Sequence, residues 1–404
     1  MGKQPRQLSP HVSLEHFIGA ELRRFRNQHG LSHKQLAARV HVSPELIGRI
    51  ERADRRLSTD LAVELDGELE TGGLLVQAVL QRSPVRSAAS RRANPLDPVT
   101  ELGSLVTLEV GEAAEILERA TTRIADYPNH APTKLWFETQ RDLQTATTLL
   151  RGPSSLRAHR ALLGGVAILA GTAAHLLMDL DDRPNGRRYL ELSHEAGRDL
   201  EDPGLLAWSL GMGVIDSLID ADFDRAVRMS EEAEELPAHS IRQQAWLSAL
   251  RARAYAGAGE ERAALSALER ANAELETAEE PTALAFFDEA RLEGMTGTTQ
   301  LLLGRPSDAV RTIDAAISRR DREDVKGIAL LMLDQAECQI HIGDPESAVA
   351  RITAAVELSE TQMVAPIRDR LTGLRRQLAR WSQTAAVMGL EGLLTASTLP
   401  VGKA

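Results

Sequence analysis

Pairs of small residues seven apart recur along the C-terminal half of the chain, and they restrict its fold more than any other feature. The pairs are Ala226/Ala233, Ala264/Ala271, Ala309/Ala316 and Ala348/Ala355, with Tyr189/Ala196 as a degenerate first member. Their first members stand 37, 38, 45 and 39 residues apart. Five residues before the four alanine pairs stand Ala221, Gly259, Gly304 and Gly343. Seven residues span two helical turns, so both members of a pair lie on one face. A small side chain at a crossing lets two helix backbones approach, and glycine permits the tight turn ahead of it. The pattern predicts a solenoid of helical hairpins from about residue 156.

Composition supports an all-α reading. Aromatic residues are only 3% of the 404, while Ala and Leu abound. Sheets lean on β-branched and aromatic residues, helices on Ala and Leu. A single cysteine, Cys338, excludes a disulfide framework within the chain and a multi-cysteine zinc site. Met1–Pro10 is polar with no apolar run behind it, which argues against a signal peptide and for a cytoplasmic location. Ala161–Met178 holds 18 residues without Asp, Glu, Lys or Arg, the lower length limit for a membrane span. It is rich in Gly and Ala and carries His175, which favours a helix buried among helices.

Charge divides the chain. The net value is −11, yet Met1–Asp60 carries 11 basic and 6 acidic residues, a balance of +5 against −16 for the rest. A basic head on an acidic body suits a head that meets polyanions. The head runs from 13 to 81 and reads as five helices. Ile18, Leu22 and Phe25 recur at helical spacing up to Gly30. Ser32 with Gln35 forms a capping box, Ser43 caps a third helix with Pro44 at its first position, Ser58 caps a fourth, and Gly72-Gly73 opens a fifth over 74–80. Residues 82–100 read as a linker rich in Pro, Ser and Arg. Residues 101–155 read as a two-helix connector anchored by Trp136 and Phe137, 156–380 as the repeats, and 381–404 as a C-terminal helix and tail.

The segment His33–Arg52 resembles the helix-turn-helix of Cro-like (XRE) regulators. Leu36, Val40, Ile47 and Ile50 fall where two crossed helices share a core, and Ala37 where they touch. Arg26 and Glu51 match the family's buried ion pair. The resemblance implies that the helix begun by Ser43 enters the major groove, with Pro44, Glu45, Leu46, Gly48 and Arg49 toward base edges. Arg49 suits a guanine and Glu45 a cytosine N4. It implies phosphate contacts from His33, while Lys34, Arg39, Arg52, Arg55 and Arg56 are candidates to neutralise phosphates. His41 and Ala53 replace glycines usual in the family, and Gly48 replaces a polar residue, so base readout is thin and DNA shape carries part of any preference.

The body more loosely resembles the tetratricopeptide repeat. With the alanine pairs as register, Trp208, Trp246, Arg253, Arg291, Thr298, Glu337 and His341 face a ligand groove. Head and repeats in this order are similar to peptide-sensing regulators of the Rgg and PlcR kind, and the composition suits actinobacterial regulators. The former clamp peptides through asparagines, of which the repeats hold only Asn185 and Asn272.

No phosphate loop, dinucleotide turn or nucleophile elbow is present. Gly30 separates His29 from His33, and the Glu231–Glu235 run reads as a solvated helix face. The expectation is therefore a non-enzymatic regulator without cofactor or metal. It would bind double-stranded DNA as a homodimer, away from membranes, with repeats that dimerise or sense a peptide, small molecule or protein. The alternative is a scaffold whose repeats bind a partner protein and whose helix-turn-helix is not a sequence reader.

Overall fold

In the computed structural model, the described residues are 14–69, 71, 73–80, 98–127, 130–152, 154–237, 240–278 and 287–396. Among them the regular structure is all helical, and the chain divides into two compact units, Met1–Pro98 and Val99–Ala404. Gly72 and residues 82–97 of the expected linker lie outside the described residues, and 98–100 are the first turn of a long helix.

The first unit contains α1 (Leu14–Gln28), α2 (His33–Arg39), α3 (Pro44–Ile50), α4 (Thr59–Glu68) and α5 (Leu74–Leu80). The caps read from the sequence all form. Ser32 and Gln35 exchange the reciprocal bonds of a capping box, and the Ser43 and Ser58 hydroxyls accept from Leu46 and Leu61 backbone N–H groups. Phe17, Ile18, Leu22, Leu36, Ile47, Ile50 and Leu65 close one core. Buried Asp66 satisfies the start of α5, accepting from the N–H groups of Leu75 at 2.9 Å and Val76 at 2.8 Å.

The second unit opens with α6 (Pro98–Asp126) and α7 (Pro132–Leu150). Buried Asp142 receives Arg119 and Arg123, and Trp136 packs edge-on against Tyr189 of the first repeat. Phe137 is only half-buried, so Trp136 is the anchor. Five hairpins follow: α8 (Leu156–Asp179) with α9 (Arg183–Asp199), α10 (Pro203–Ile219) with α11 (Phe223–Glu234), α12 (Ile241–Gly257) with α13 (Glu261–Glu276), α14 (Glu289–Leu302) with α15 (Pro306–Arg319), and α16 (Val325–Ile342) with α17 (Pro345–Leu358); α18 (Ala365–Leu378) then packs on α16, and α19 (Ala385–Ala396) on α17.

All eight alanines of the four expected pairs are buried. All four expected turn residues are left-handed, at φ 55° for Ala221, 81° for Gly259, 71° for Gly304 and 91° for Gly343. Behind each, the next N–H bonds back five residues: Asp222 to Ser217, Glu260 to Tyr255, Arg305 to Gln300 and Asp344 to Gln339. This closes the carbonyls that a helix end leaves open. The same motif corrects the first repeat. Asp181 is the left-handed residue there (φ 67°), with Asp182 bonded back to Leu177. Counting five onward gives Gly186/Ser193, both buried, rather than Tyr189/Ala196. The Ser193 hydroxyl donates to the Ala167 carbonyl at 2.6 Å, a contact open only to a small side chain.

The apolar helix α8 is long and apolar enough to cross a membrane, but 83% of that stretch is buried within the repeats. The repeats also return on themselves. Lys326 at the start of α16 reaches Asp179 at the end of α8, at 2.7 and 2.8 Å to its two oxygens, and the Tyr127 hydroxyl at 2.5 Å. The ion pairs Arg183–Asp369 (2.8 Å) and Arg368–Asp181 (3.3 Å) join α18 to the first hairpin.

Candidate nucleic-acid interface and the inner face of the repeats

The left-handed turn between α2 and α3 comes from His41 at φ 51°, where a branched residue would be strained. Ala53 takes the same conformation, at φ 59°, beyond α3. Behind α3, Glu51 locks the two crossed helices to α1. Arg26 meets its carboxylate in bidentate fashion, at 2.5 and 3.0 Å, Arg23 donates to its carbonyl at 2.7 Å, and His33 Nε2 lies 2.9 Å from Oε2. Burial by itself raises the Glu51 pKa, but the hydrogen bonds from Arg26 and His33 outweigh it and hold the carboxyl below its usual range.

On the outer side Lys34, Ser43, Glu45 and Arg49 are exposed, and His33, Pro44, Leu46 and Arg52 are half-buried. Arg39 and Arg52 hold carboxylates, Glu68 at 2.7 Å and Asp54 at 3.0 Å. Arg56 approaches Glu15 at 3.6 Å. Lys34, Arg49 and Arg55 form no ion pair among the described residues. Gly48 departs from the expected base-facing set. It is buried, and a Cβ there would stand 3.2 Å from Arg52 Nη1 and 3.8 Å from the His33 ring. The glycine that removes one contact thus leaves room for the neighbouring Arg52 guanidinium, itself an expected phosphate contact.

The seven expected groove residues separate. Trp208 and Trp246 are 4% and 3% exposed and lie 5.6 Å apart, as wedges between successive first helices. Each fills the space left by a glycine one repeat earlier: a Cβ on Gly171 would fall 2.3 Å from Trp208 Nε1, and one on Gly211 2.3 Å from Trp246 Cη2. They belong to the core, although Trp208 also edges a pocket of about 400 Å³ with Leu117, Ile168 and Leu205. Thr298 and Glu337 do come together, through two residues that the sequence reading missed. Asp334 accepts from Thr298 at 2.7 Å and from Arg370, which also holds Glu337 at 2.7 Å. Arg291 joins Asp324 and Asp288 at 3.4 Å, and His341 is exposed at the end of α16. The Lys326 cluster was missed as well. His175 in it is neutral, pushed down to about 3 by burial and then by Lys326. The signal available for these residues was charge inside an apolar stretch: Asp334 within α16, and Asp179 closing α8.

Residues 18–76 match the model of the helix-turn-helix domain family. No curated protein matches the chain. Among solved structures it is similar to Bacillus thuringiensis PlcR in complex with the peptide PapR7 and DNA, at 13% identity over 88% of this chain and 98% of that one, with a TM-score of 0.33. The left-handed turn, the capped third helix and the Arg26–Glu51 pair agree with the family match: residues 18–76 of this protein form a helix-turn-helix domain, followed in the chain by a domain of α-helical hairpin repeats.

Proposed function

We propose that the protein is a cytoplasmic DNA-binding transcriptional regulator whose repeats sense a peptide, small molecule or protein partner and whose active form is a homodimer on a paired site. The observation that carries this reading is the two-sidedness of α3. Its inner side is locked by Arg26 and Glu51, while its outer side exposes Glu45 and Arg49, with Lys34 exposed at the start of α2. Lysine and arginine without internal carboxylates are free to replace the counterions of a phosphate backbone. Of the side chains at the head of α3, Arg49 has the fork for two guanine acceptors, and Glu45 can accept from cytosine. Pro44 and Leu46 offer apolar contact only.

A helix-turn-helix of this size buries too little for tight specific binding by one copy, which is why a dimer is part of the proposal. The test is a mobility shift with mixed-sequence DNA at low salt, repeated at rising salt. A retarded complex that weakens with a linear log–log salt slope is expected, together with its loss on charge reversal at Arg49 and Arg52. Absence of a complex at micromolar protein sinks the proposal. A complex with a partner protein that survives the charge reversal, without DNA binding, establishes the scaffold reading instead.

A further inference from the structure

The first helices of the hairpins share a stripe of polar side chains. Arg291 and Thr298 stand seven apart on α14, as Trp246 and Arg253 do on α12, so each pair lies on one face. On α16 the corresponding side carries Lys326, Asp334 and Glu337, and it is the side that meets α8 through Lys326 and α18 through Arg370. The stripe therefore lies on the inner face of the repeats.

Most of its charged groups are matched. Lys326 has Asp179, Arg291 and Arg320 have Asp324, and Arg370 has Asp334 and Glu337. Arg253 differs. Among the described residues it makes no hydrogen bond and no ion pair, and its Nε is buried without an acceptor. Asp334, the carboxylate whose charge acts on Arg253, is already committed, because one of its oxygens accepts from Arg370 and the other from Thr298. Asp334 attracts Arg253 at longer range while Arg370 repels it, and burial, the largest influence, disfavours its charge. Charge is nearly balanced across the cluster, so what is unfulfilled is hydrogen bonding: five N–H donors in a planar fork. A buried donor without an acceptor destabilises a fold, and where one persists it calls for a reason. The residue as a whole keeps intermediate exposure, and Nε alone of its guanidinium nitrogens is wholly buried without a partner.

We infer that Arg253 anchors an oxyanion site on the inner face of the repeats, taking the carboxylate or phosphoryl group of a small ligand. This site rests on the sensing role proposed above and gives it a chemical class. Two oxygens of such a group accept in parallel from one edge of the guanidinium, which a lysine cannot reproduce. The network of Thr298, Asp334, Glu337, Arg370 and Gln377 holds the wall in place and leaves the fork open.

The test is thermal unfolding of the full chain with citrate, with inorganic phosphate, and with an alanine tripeptide bearing either a free or an amidated C-terminus. A saturable rise in Tm with at least one free oxyanion is expected, with none for the amidated peptide. Which probe acts separates a free acid, a phosphate and a chain terminus. The rise should vanish in Arg253→Gln and weaken in Arg253→Lys, which keeps the charge and loses the fork. Without any probe, Arg253→Gln should unfold at or above the wild-type temperature, since it removes a guanidinium whose hydrogen bonds are unmade. An equal rise in Arg253→Gln, or no saturable rise with any probe, overturns the site. DNA retention measured on the same samples keeps the two readings apart. An anion response in a protein that never binds DNA sinks the regulator and supports the site, whereas DNA binding without an anion response overturns the site alone.

Discussion

The two domains place charge in opposite ways. In the helix-turn-helix domain the buried pair is at the back, on Glu51, and the outer side carries, beside the exposed pairs of Arg39 and Arg52, the cations Lys34, Arg49 and Arg55 with no ion pair among the described residues. In the second unit the strongest pairs are buried: Asp142 on α7 and Asp179, Asp216 and Asp334 in the repeats are each held by a lysine or arginine. An outward, unneutralised cation acts at a distance on a polyanion; an inward pair acts only on its neighbours. The difference teaches that salt-dependent binding must come from the first domain. Buried charge in the second instead holds distant helices together.

The sharpest way to break that contrast is to remove the pair at the back of the first domain. Glu51→Ala leaves Arg26 without its buried partner and should destabilise that domain by about 3–5 kcal/mol. Calorimetry should show its transition move while the transition of the repeats stays in place. A shift in both, or in neither, contradicts the description of Glu51 as a local lock.

In the repeats Lys326→Met has the corresponding place. It strips Asp179 of its cation and should cost about 3 kcal/mol, because removing one partner of a buried pair strands the other. Hydrogen exchange should then speed up at α8 and α18 together, since these are the ends that Lys326, Arg183 and Arg368 tie. Faster exchange at α16 alone would mean that the return of the repeats does not depend on this residue.

At the outer surface the effects are smaller and appear only with DNA present. Arg49→Ala should weaken binding to a preferred site by about 1–3 kcal/mol and relax discrimination at one base pair. Lys34→Ala should weaken all sequences alike and reduce the salt slope by about one. Neither should move the unfolding temperature. If Arg49→Ala instead weakens all sequences equally, it is a phosphate contact.

The smallest expected effect is one of pH. The folded Glu51 carboxyl titrates below its ordinary value of 4.5. Its contribution is therefore complete above that value and is lost as pH falls through the folded one. An acid titration should show the first domain of the wild type losing stability over that range, and Glu51→Gln losing less. Equal acid sensitivity in the two would show that other carboxylates dominate there.

Much of this was legible in the residues because the governing physics is local. A capping serine, a proline at the first helical position and a left-handed residue at a helix end act within a few residues of themselves. That is why the caps of Ser32, Ser43 and Ser58 and the turns at Ala221, Gly259, Gly304 and Gly343 stand where the sequence places them. The misplaced first repeat shows the limit of reading by residue type. The rule asks for a small residue, and Gly186 and Ser193 satisfy it as well as alanine does, behind a turn that Asp181 makes without glycine.

Other features belong to the tertiary structure alone. Local pattern cannot tell whether Trp208 and Trp246 line a groove or fill a joint, because that depends on the space at Gly171 and Gly211 one repeat away. Nor does it join Lys326 to Asp179, 147 residues earlier, or leave Arg253 without a partner while committing Asp334 to Arg370 and Thr298. The sequence by itself determined the hairpins, their period, the caps and the helix that would face DNA. How tightly those hairpins curl, and so which charges meet across the interior and which one is left open, was decided only when the repeats packed, because each small rotation between neighbours accumulates along the stack.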